Sequence, residues 1–369
     1  MQHADLGRAF ARQFSAFLNR EKGALLTSQL FAYTAFVPLL PPPDPSDTLP
    51  DASQPALDSD PLAALLVQAE ASFRLARAPA TLRAYEHDWR AFRVWCERNG
   101  LLPLPASPQA VILYSTDLTK NQHKRWNTLS RRLAAISQLH QQAGFDSPTR
   151  SWAVEQFLAG LRRELGIAPV RKKPVLVADL KLILEQIPDS LLGLRDRALL
   201  LLGFSGAFRR SELVGLDVGD LEETRDGLVV TLRRSKTDPE GEGRKIGVPQ
   251  GSEQASCPLW ALDQWRAAAG LSSGALFRSV TRHGRVLGQR LSAEAVSIVV
   301  KRYVAQLGYD PAQFAGHSLR AGLATSAAAA GKSERAIMNQ TGHRSLTTVR
   351  RYIRDGNLFR ENAAEGIGL

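Results

Sequence analysis

The sequence predicts a mainly α-helical protein of two domains: an all-helical first domain, then a mixed, mostly helical second domain with a small β-hairpin or sheet. Three observations carry this reading. The chain has 369 residues, enough to bury two separate cores. From Pro61 to about Leu165 the apolar residues recur at helical spacing without strand alternation. Beyond that, one region reads as strand: Leu228-Val-Val-Thr-Leu-Arg233, returning as Lys245-Ile-Gly-Val-Pro249 across the turn-rich Asp238-Pro-Glu-Gly-Glu-Gly243.

Residues 1–60 read as an N-terminal extension ending in a Pro-rich linker. Leu6, Phe10, Phe14, Phe17 and Leu18 fall near helical spacing, which fits a short amphipathic helix that either docks on a partner subunit or frays. From Pro38 to Pro61 the density of Pro, Asp and Ser argues for a flexible linker. In residues 61–165, Thr81 is placed to cap a helix whose apolar face carries Tyr85, Trp89, Phe92, Trp95 and Cys96. These aromatics read as core. A second helix, from about His123 to Gln142, carries Lys124, Arg125, Arg131 and Arg132 on a cationic side. Residues 166–175 mix breakers with Arg171, Lys172 and Lys173 and read as the interdomain linker. Residues 176–369 form the second domain. In it a helix from about Ser292 to Leu307 bears Lys301 and Arg302, with Arg282, Arg285 and Arg290 just before it.

Charge points to an anionic partner. The formal net charge is +11 and the sequence pI is near 10.0. Residues 1–60 carry a net −3, so the remainder carries +14 and the whole basic surplus. No run of 18 or more apolar residues appears and the N-terminus lacks a signal-peptide plan, so neither a membrane span nor secretion is expected. Cys96 and Cys257 are distant from each other in apolar contexts and read as reduced core thiols of an intracellular, cytoplasmic protein. There is no clustered carboxylate set, no Cys/His ligand pattern and no phosphate-binding Gly-rich loop, so no metal or cofactor is expected.

Five local motifs in the C-terminal half carry the functional signal. They are Gly206-Ala-Phe-Arg-Arg-Ser-Glu-Leu213, Arg234-Ser-Lys-Thr-Asp238, Gly316-His-Ser-Leu-Arg-Ala-Gly322, Thr341-Gly-His-Arg-Ser-Leu-Thr347 and Arg351-Tyr-Ile-Arg354. Each is weak alone. Together, in this order, they resemble the catalytic boxes of the tyrosine recombinases, or phage-integrase family, of the Cre and Xer kind, over roughly Leu62 to the C-terminus. The register before Ser-Glu-Leu selects Arg209 rather than Arg210. One departure is Ala207, at a position often held by glycine, with Gly206 displaced by one.

The resemblance implies a catalytic set of Arg209, Lys236, His317, Arg320, His343 and Tyr352. Attack on a phosphodiester piles charge on the nonbridging oxygens, and planar guanidinium forks bind such oxygens bidentately. By resemblance Tyr352 attacks the phosphate to give a 3′-phosphotyrosyl intermediate, His317 is its general base, Lys236 protonates the departing 5′-oxygen and His343 hydrogen-bonds the phosphate. Glu212, three residues after Arg209 and hence expected on the same helical face, is placed to hold that guanidinium. The family's fold is a DNA clamp: residues 61–165 as core-binding domain, 176–369 as catalytic domain, acting as a homotetramer on double-stranded DNA with inverted-repeat core sites, through a Holliday junction. The cations at 124, 125, 131, 132, 171–173, 282, 285, 290, 301 and 302 are candidate DNA contacts. After Tyr352, Leu358, Phe359 and Ala364 fit a tail that packs on a neighbouring subunit. A type IB topoisomerase shares the nucleophile and the cationic clamp, and a noncatalytic DNA-binding regulator shares the fold. The recombinase-like boxes weigh against the first, and the filled catalytic positions against the second.

Overall fold

The computed structural model describes residues 77–166, 171–233 and 243–357, together with Leu65 and Gln68. The N-terminal extension, Lys236 and the tail after Asn357 lie outside the described residues. The chain divides into two units, Met1–Pro169 and Val170–Leu369.

In the first unit, α1 (Pro79–Arg98) is started by Pro79, whose fixed φ suits the first helical position. Thr81 therefore falls inside the first turn, and the N-cap is Ala78, which makes no side-chain cap. α2 (Pro108–Thr116) and α4 (Trp152–Leu165) begin behind Ser107 and Ser151, whose side chains accept from the N–H groups of Ala110 and Val154. α3 is Trp126–Gln142, starting later than the sequence suggests. The reason is His123, at φ 50°, a left-handed value that no helix interior accommodates. Lys124 and Arg125 consequently precede the helix, with Arg125 at the N-cap. Phe92 and Cys96 are fully buried among Val111, Tyr114, Leu118, Leu129 and Ile136, with Trp89 and Trp95 packed against them. Burial pushes the Cys96 thiol up to about 11, and both cysteines are free and buried. One carboxylate organises the polar side of this core: buried Asp88 accepts from Arg131 Nε at 2.7 Å and Nη2 at 3.0 Å, while Arg132 Nη1 donates to Tyr114 Oη at 2.7 Å.

The second unit is built around α6 (Leu191–Ser205), whose second half is apolar on every side and buried from Ala198 to Phe204. α5 (Val177–Glu185), α8 (Pro258–Ala269), α9 (Ala293–Gln306) and α10 (His317–Ala329) surround it. α7 (Arg210–Gly215) follows α6 directly, and α11 (Glu334–Thr341) and α12 (Leu346–Gly356) end the described fold. β1 (Leu221–Thr224), β2 (Gly227–Leu232) and β3 (Arg244–Pro249) form an antiparallel sheet in that order. Val230 pairs with Ile246 and Leu228 with Val248, so alternate residues of both strands enter the core.

The sequence reading expects a single hairpin; the structure adds β1 to it and forms a second hairpin, β4 (Arg278–Val280) with β5 (Val286–Arg290). Both additions have local signals. Asp226-Gly227 turns β1 into β2 with Gly227 at φ 142°, and Gly284 turns β4 toward β5 at φ 75°.

Phe92 is the test of the first unit's core. Phe92→Ala is expected to lower its unfolding free energy by about 3–5 kcal/mol, measured by urea melts, because a fully buried ring leaves a cavity that helices on several sides cannot close.

Candidate functional site

The site is assembled on α10. His317 and Arg320 stand three residues apart on it and share a face. The helix is held tightly: a Cβ at Gly322 would lie 1.8 Å from the Val175 carbonyl oxygen, and the Val175 N–H donates to Ser318 O at 3.0 Å. Only glycine fits there.

Arg320 is 1% exposed, and its Nη1 donates to the Ala207 carbonyl at 2.7 Å. Ala207 sits at φ 49°, in the left-handed region, at a strain of about 1–2 kcal/mol. A Cβ on Gly206 would lie 2.0 Å from the Phe208 ring, so position 206 needs glycine for space while Ala207 takes the unusual φ. The buried Nη2 of Arg320 has no hydrogen-bond partner among the described residues. A guanidinium with one edge fixed and the other unclaimed suits an incoming anion.

Arg209 is the N-cap of α7, and Glu212 is its third residue. The Glu212 carboxylate accepts from both Arg209 Nη1 and the Arg209 N–H, the latter at 2.9 Å. The two meet through this cap geometry rather than by sharing a helical face. Glu212 is buried, and the Arg209 side chain retains 19% exposure.

Tyr352 comes from α12, which packs through buried Val349 on Ala324 and Ala328 of α10 and Ile337 of α11. Gly356 permits this approach, since a Cβ there would lie 2.6 Å from Thr325 O. The result is a 2.9 Å contact between Tyr352 Oη and His317 Nε2 within one chain. Burial, then Arg320 and Arg209, lower the pKa of His317, so its neutral imidazole can accept the phenolic proton. Burial raises the Tyr352 pKa, against the lowering effects of Arg320, Arg171 and Arg351.

His343 follows α11. Thr341 Oγ1 donates to Ile337 O at 2.7 Å and lies 2.7 Å from His343 Nδ1. A hydroxyl has one proton, so Nδ1 must be the donor in the second contact and the neutral imidazole carries its hydrogen on Nδ1. Burial and then Arg320, Arg209, His317 and Arg244 push His343 down to about 4.

One residue that the sequence reading passed over belongs here. Arg244, on β3, is partly buried, and burial lowers its pKa, with Glu212 opposing and Arg209 adding to the effect. Its neighbours Arg233 and Lys245 instead pair outward, with Asp220 at 2.6 Å and Glu222 at 3.8 Å. Strand period was the available signal: Arg244, Ile246 and Val248 share the inward face.

The candidate DNA cations divide in two. Arg131 and Arg132 serve Asp88 and Tyr114. Arg290 donates to Val214 O, Leu216 O and Asp217. Arg302 joins Arg195 and Tyr303 on buried Asp196. Arg171 pairs with Asp355 at 3.8 Å, and Lys172 donates to Ala312 O. Lys124, Arg125, Lys173, Arg285 and Lys301 make no ion pair among the described residues, and exposed Arg282 contacts only His283.

The depressed imidazoles make stability pH-dependent. His343 binds its proton less readily when folded than when unfolded, so stability present above the unfolded value near 6.5 is lost as pH falls toward 4. Urea melts are expected to show a loss on the order of 1–3 kcal/mol from pH 7 to 4.5, and His343→Gln to flatten that slope.

Comparison with known proteins agrees with this geometry. Residues 175–357 match the phage integrase family. The chain is 40% identical over 303 residues to an integrase/recombinase XerD homolog of Selenomonas ruminantium, covering 81% of this chain and 88% of that one. It is 25% identical over 306 residues to the recombinase Cre of Escherichia phage P1, covering 76% and 86%. Among solved structures, the integrase of transposon Tn1549 in complex with transposon right-end DNA shares the fold, with a TM-score of 0.56, 16% identity and coverage of 78% and 93%. A mostly helical fold with small antiparallel sheets, an arginine and histidine pair on one buried helix and a tyrosine delivered to that histidine therefore sit in a chain that belongs to the phage integrase family of tyrosine recombinases.

Proposed function

We propose that this protein is a site-specific DNA recombinase that cuts and rejoins strands through a 3′-phosphotyrosyl intermediate. The observation that carries the reading is the 2.9 Å contact between Tyr352 Oη and His317 Nε2, beside a buried arginine with one unclaimed nitrogen. In this reading Tyr352 gives its proton to neutral His317 and its oxygen attacks phosphorus. Charge developing on the nonbridging oxygens falls to Arg209 and Arg320, which are fixed beforehand by Glu212 and the Ala207 carbonyl and so need no reorganisation. Lys236, outside the described residues, supplies the proton to the leaving 5′-oxygen. His343 holds a phosphate oxygen, which its Nδ1–H tautomer permits only once Nε2 is protonated, so the arriving phosphate must raise its pKa.

The intrachain contact supports cleavage in cis. The wider assignment rests on the motif resemblance: residues 61–165 as core-binding domain, 166–175 as linker and 176–369 as catalytic domain, acting as a homotetramer on inverted-repeat duplex sites through a Holliday junction. Lys124, Arg125, Lys173, Arg282, Arg285 and Lys301 are the preferred phosphate contacts of this proposal, since the other candidates are engaged by internal partners.

Nicked suicide duplexes drawn from DNA flanking the gene test the chemistry on a denaturing gel. Wild type is expected to form a protease-sensitive 3′ adduct, Tyr352→Phe none, and Arg320→Ala to slow adduct formation by about 10²–10³-fold. Tight binding to a fragment with no adduct from wild type would contradict the proposal, and relaxation of any supercoiled DNA by a monomer would favour a topoisomerase.

A further inference from the structure

The last turn of α11 is tied to β3 from both sides. Arg244 Nη1 donates to Asn339 O at 3.3 Å and Gln340 O at 3.4 Å, and Nη2 to Thr341 O at 3.4 Å. These are carbonyls at a helix C-terminus, which lack partners within the helix and carry partial negative charge. A planar fork satisfies several at once, which a lysine cannot. In return, Gln340 Nε2 donates to Gly247 O on β3 at 3.0 Å and to Ser205 O at the end of α6 at 2.7 Å.

The next residue, Gly342, is required by its backbone and leaves room for the Arg244 fork. Its φ is 65°, and a Cβ on it would lie 2.6 Å from Arg244 Cζ. His343 follows immediately. At the other end of the contact, Arg244 pairs across the sheet with Leu232, the last residue of β2 before the segment that contains Lys236. Arg244 thus stands where the hairpin base meets the His343 loop.

We propose that Arg244 is a positioning residue for strand cleavage, fastening the His343 loop to the hairpin so that the imidazole is placed before DNA arrives. This rests on the strand-cleaving reading above. Its contacts are to backbone carbonyls at or next to the turn that delivers His343, so their loss displaces that ring rather than unfolding a core. Burial above all keeps His343 neutral, and Arg244 adds to the positive field of Arg320 and Arg209 that acts in the same direction, while the Tyr352 ring lies 5.7 Å away.

Single-turnover adduct formation is measured on whichever flanking suicide duplex reacts with wild type, for Arg244→Ala, His343→Ala and the double variant. Arg244→Ala is expected to slow the step by about 10–100-fold, the effect of a small misplacement, with DNA affinity within about threefold of wild type. The double variant is expected to be no slower than the slower single, because both changes remove one contribution. Arg244→Lys, which keeps the charge and loses the fork, is expected to show most of the defect and covers the case in which the alanine variant unfolds. A 5′-bridging phosphorothiolate, whose thiolate leaves without an acid, is expected to leave the Arg244 defect in place. The His343-dependent limb of the rate against pH is expected to move up in Arg244→Ala, since a cation beside the imidazole has gone. A rate within about twofold of wild type, independent losses that multiply in the double variant, or full rescue by the phosphorothiolate would each overturn the proposal. Absence of an adduct from wild type would instead sink the strand-cleaving reading itself.

Discussion

Everything in the site depends on one buried hydrogen bond, from Arg320 Nη1 to the Ala207 carbonyl. A guanidinium that is 1% exposed has lost most of its water, and only a strong local acceptor makes that tolerable. The acceptor is available because Ala207 adopts a left-handed φ between Gly206 and Phe208. The strained turn at the end of α6, the arginine on α10 and the adjacent N-cap arginine of α7 are therefore one construction. Remove the carbonyl and the cation has no reason to stay buried in that orientation.

The electrostatics follow from that choice. Arg209 and Arg320 bear on both histidines and Arg244 on His343, while Glu212 offsets the positive charge at Arg320 and Arg244. Arg320 itself is lowered to about 10, first by burial and then by Arg209. Such an excess of positive charge is costly in the free protein and is relieved by an anion. Burial first, and then the same field, keep His317 and His343 deprotonated, which suits one to accept a proton from Tyr352 and holds the other ready to change state when charge arrives.

Much of this was legible in the sequence, and the reasons differ by residue. Arg209, Glu212, His317, Arg320, His343 and Tyr352 lie in short motifs whose local geometry is fixed by capping and helix period, and the structure brings all six together. The apolar face of α1 was equally readable, because burial of Phe92 and Cys96 follows from spacing. What spacing could not show was set by long-range partners. Arg131, Arg132, Arg290 and Arg302 look like surface cations until Asp88, Tyr114, Asp217 and Asp196 are placed beside them. The late start of α3 depended on the φ of a single histidine, and β4 and β5 are too short for alternation to register. Arg244 was hidden by its neighbours, although strand alternation separates it from Lys245.

The central claim is that one chain supplies the nucleophile, its base and the arginine clamp to one phosphate. The most direct measurement mixes Tyr352→Phe with Arg320→Ala protein on the reactive duplex and assays for covalent adduct at the fast, wild-type rate. A site complete within each chain predicts none, because neither protomer holds both groups. An adduct at that rate from the mixture, with neither variant forming it alone, would show that one subunit lends its tyrosine to another and would contradict the account.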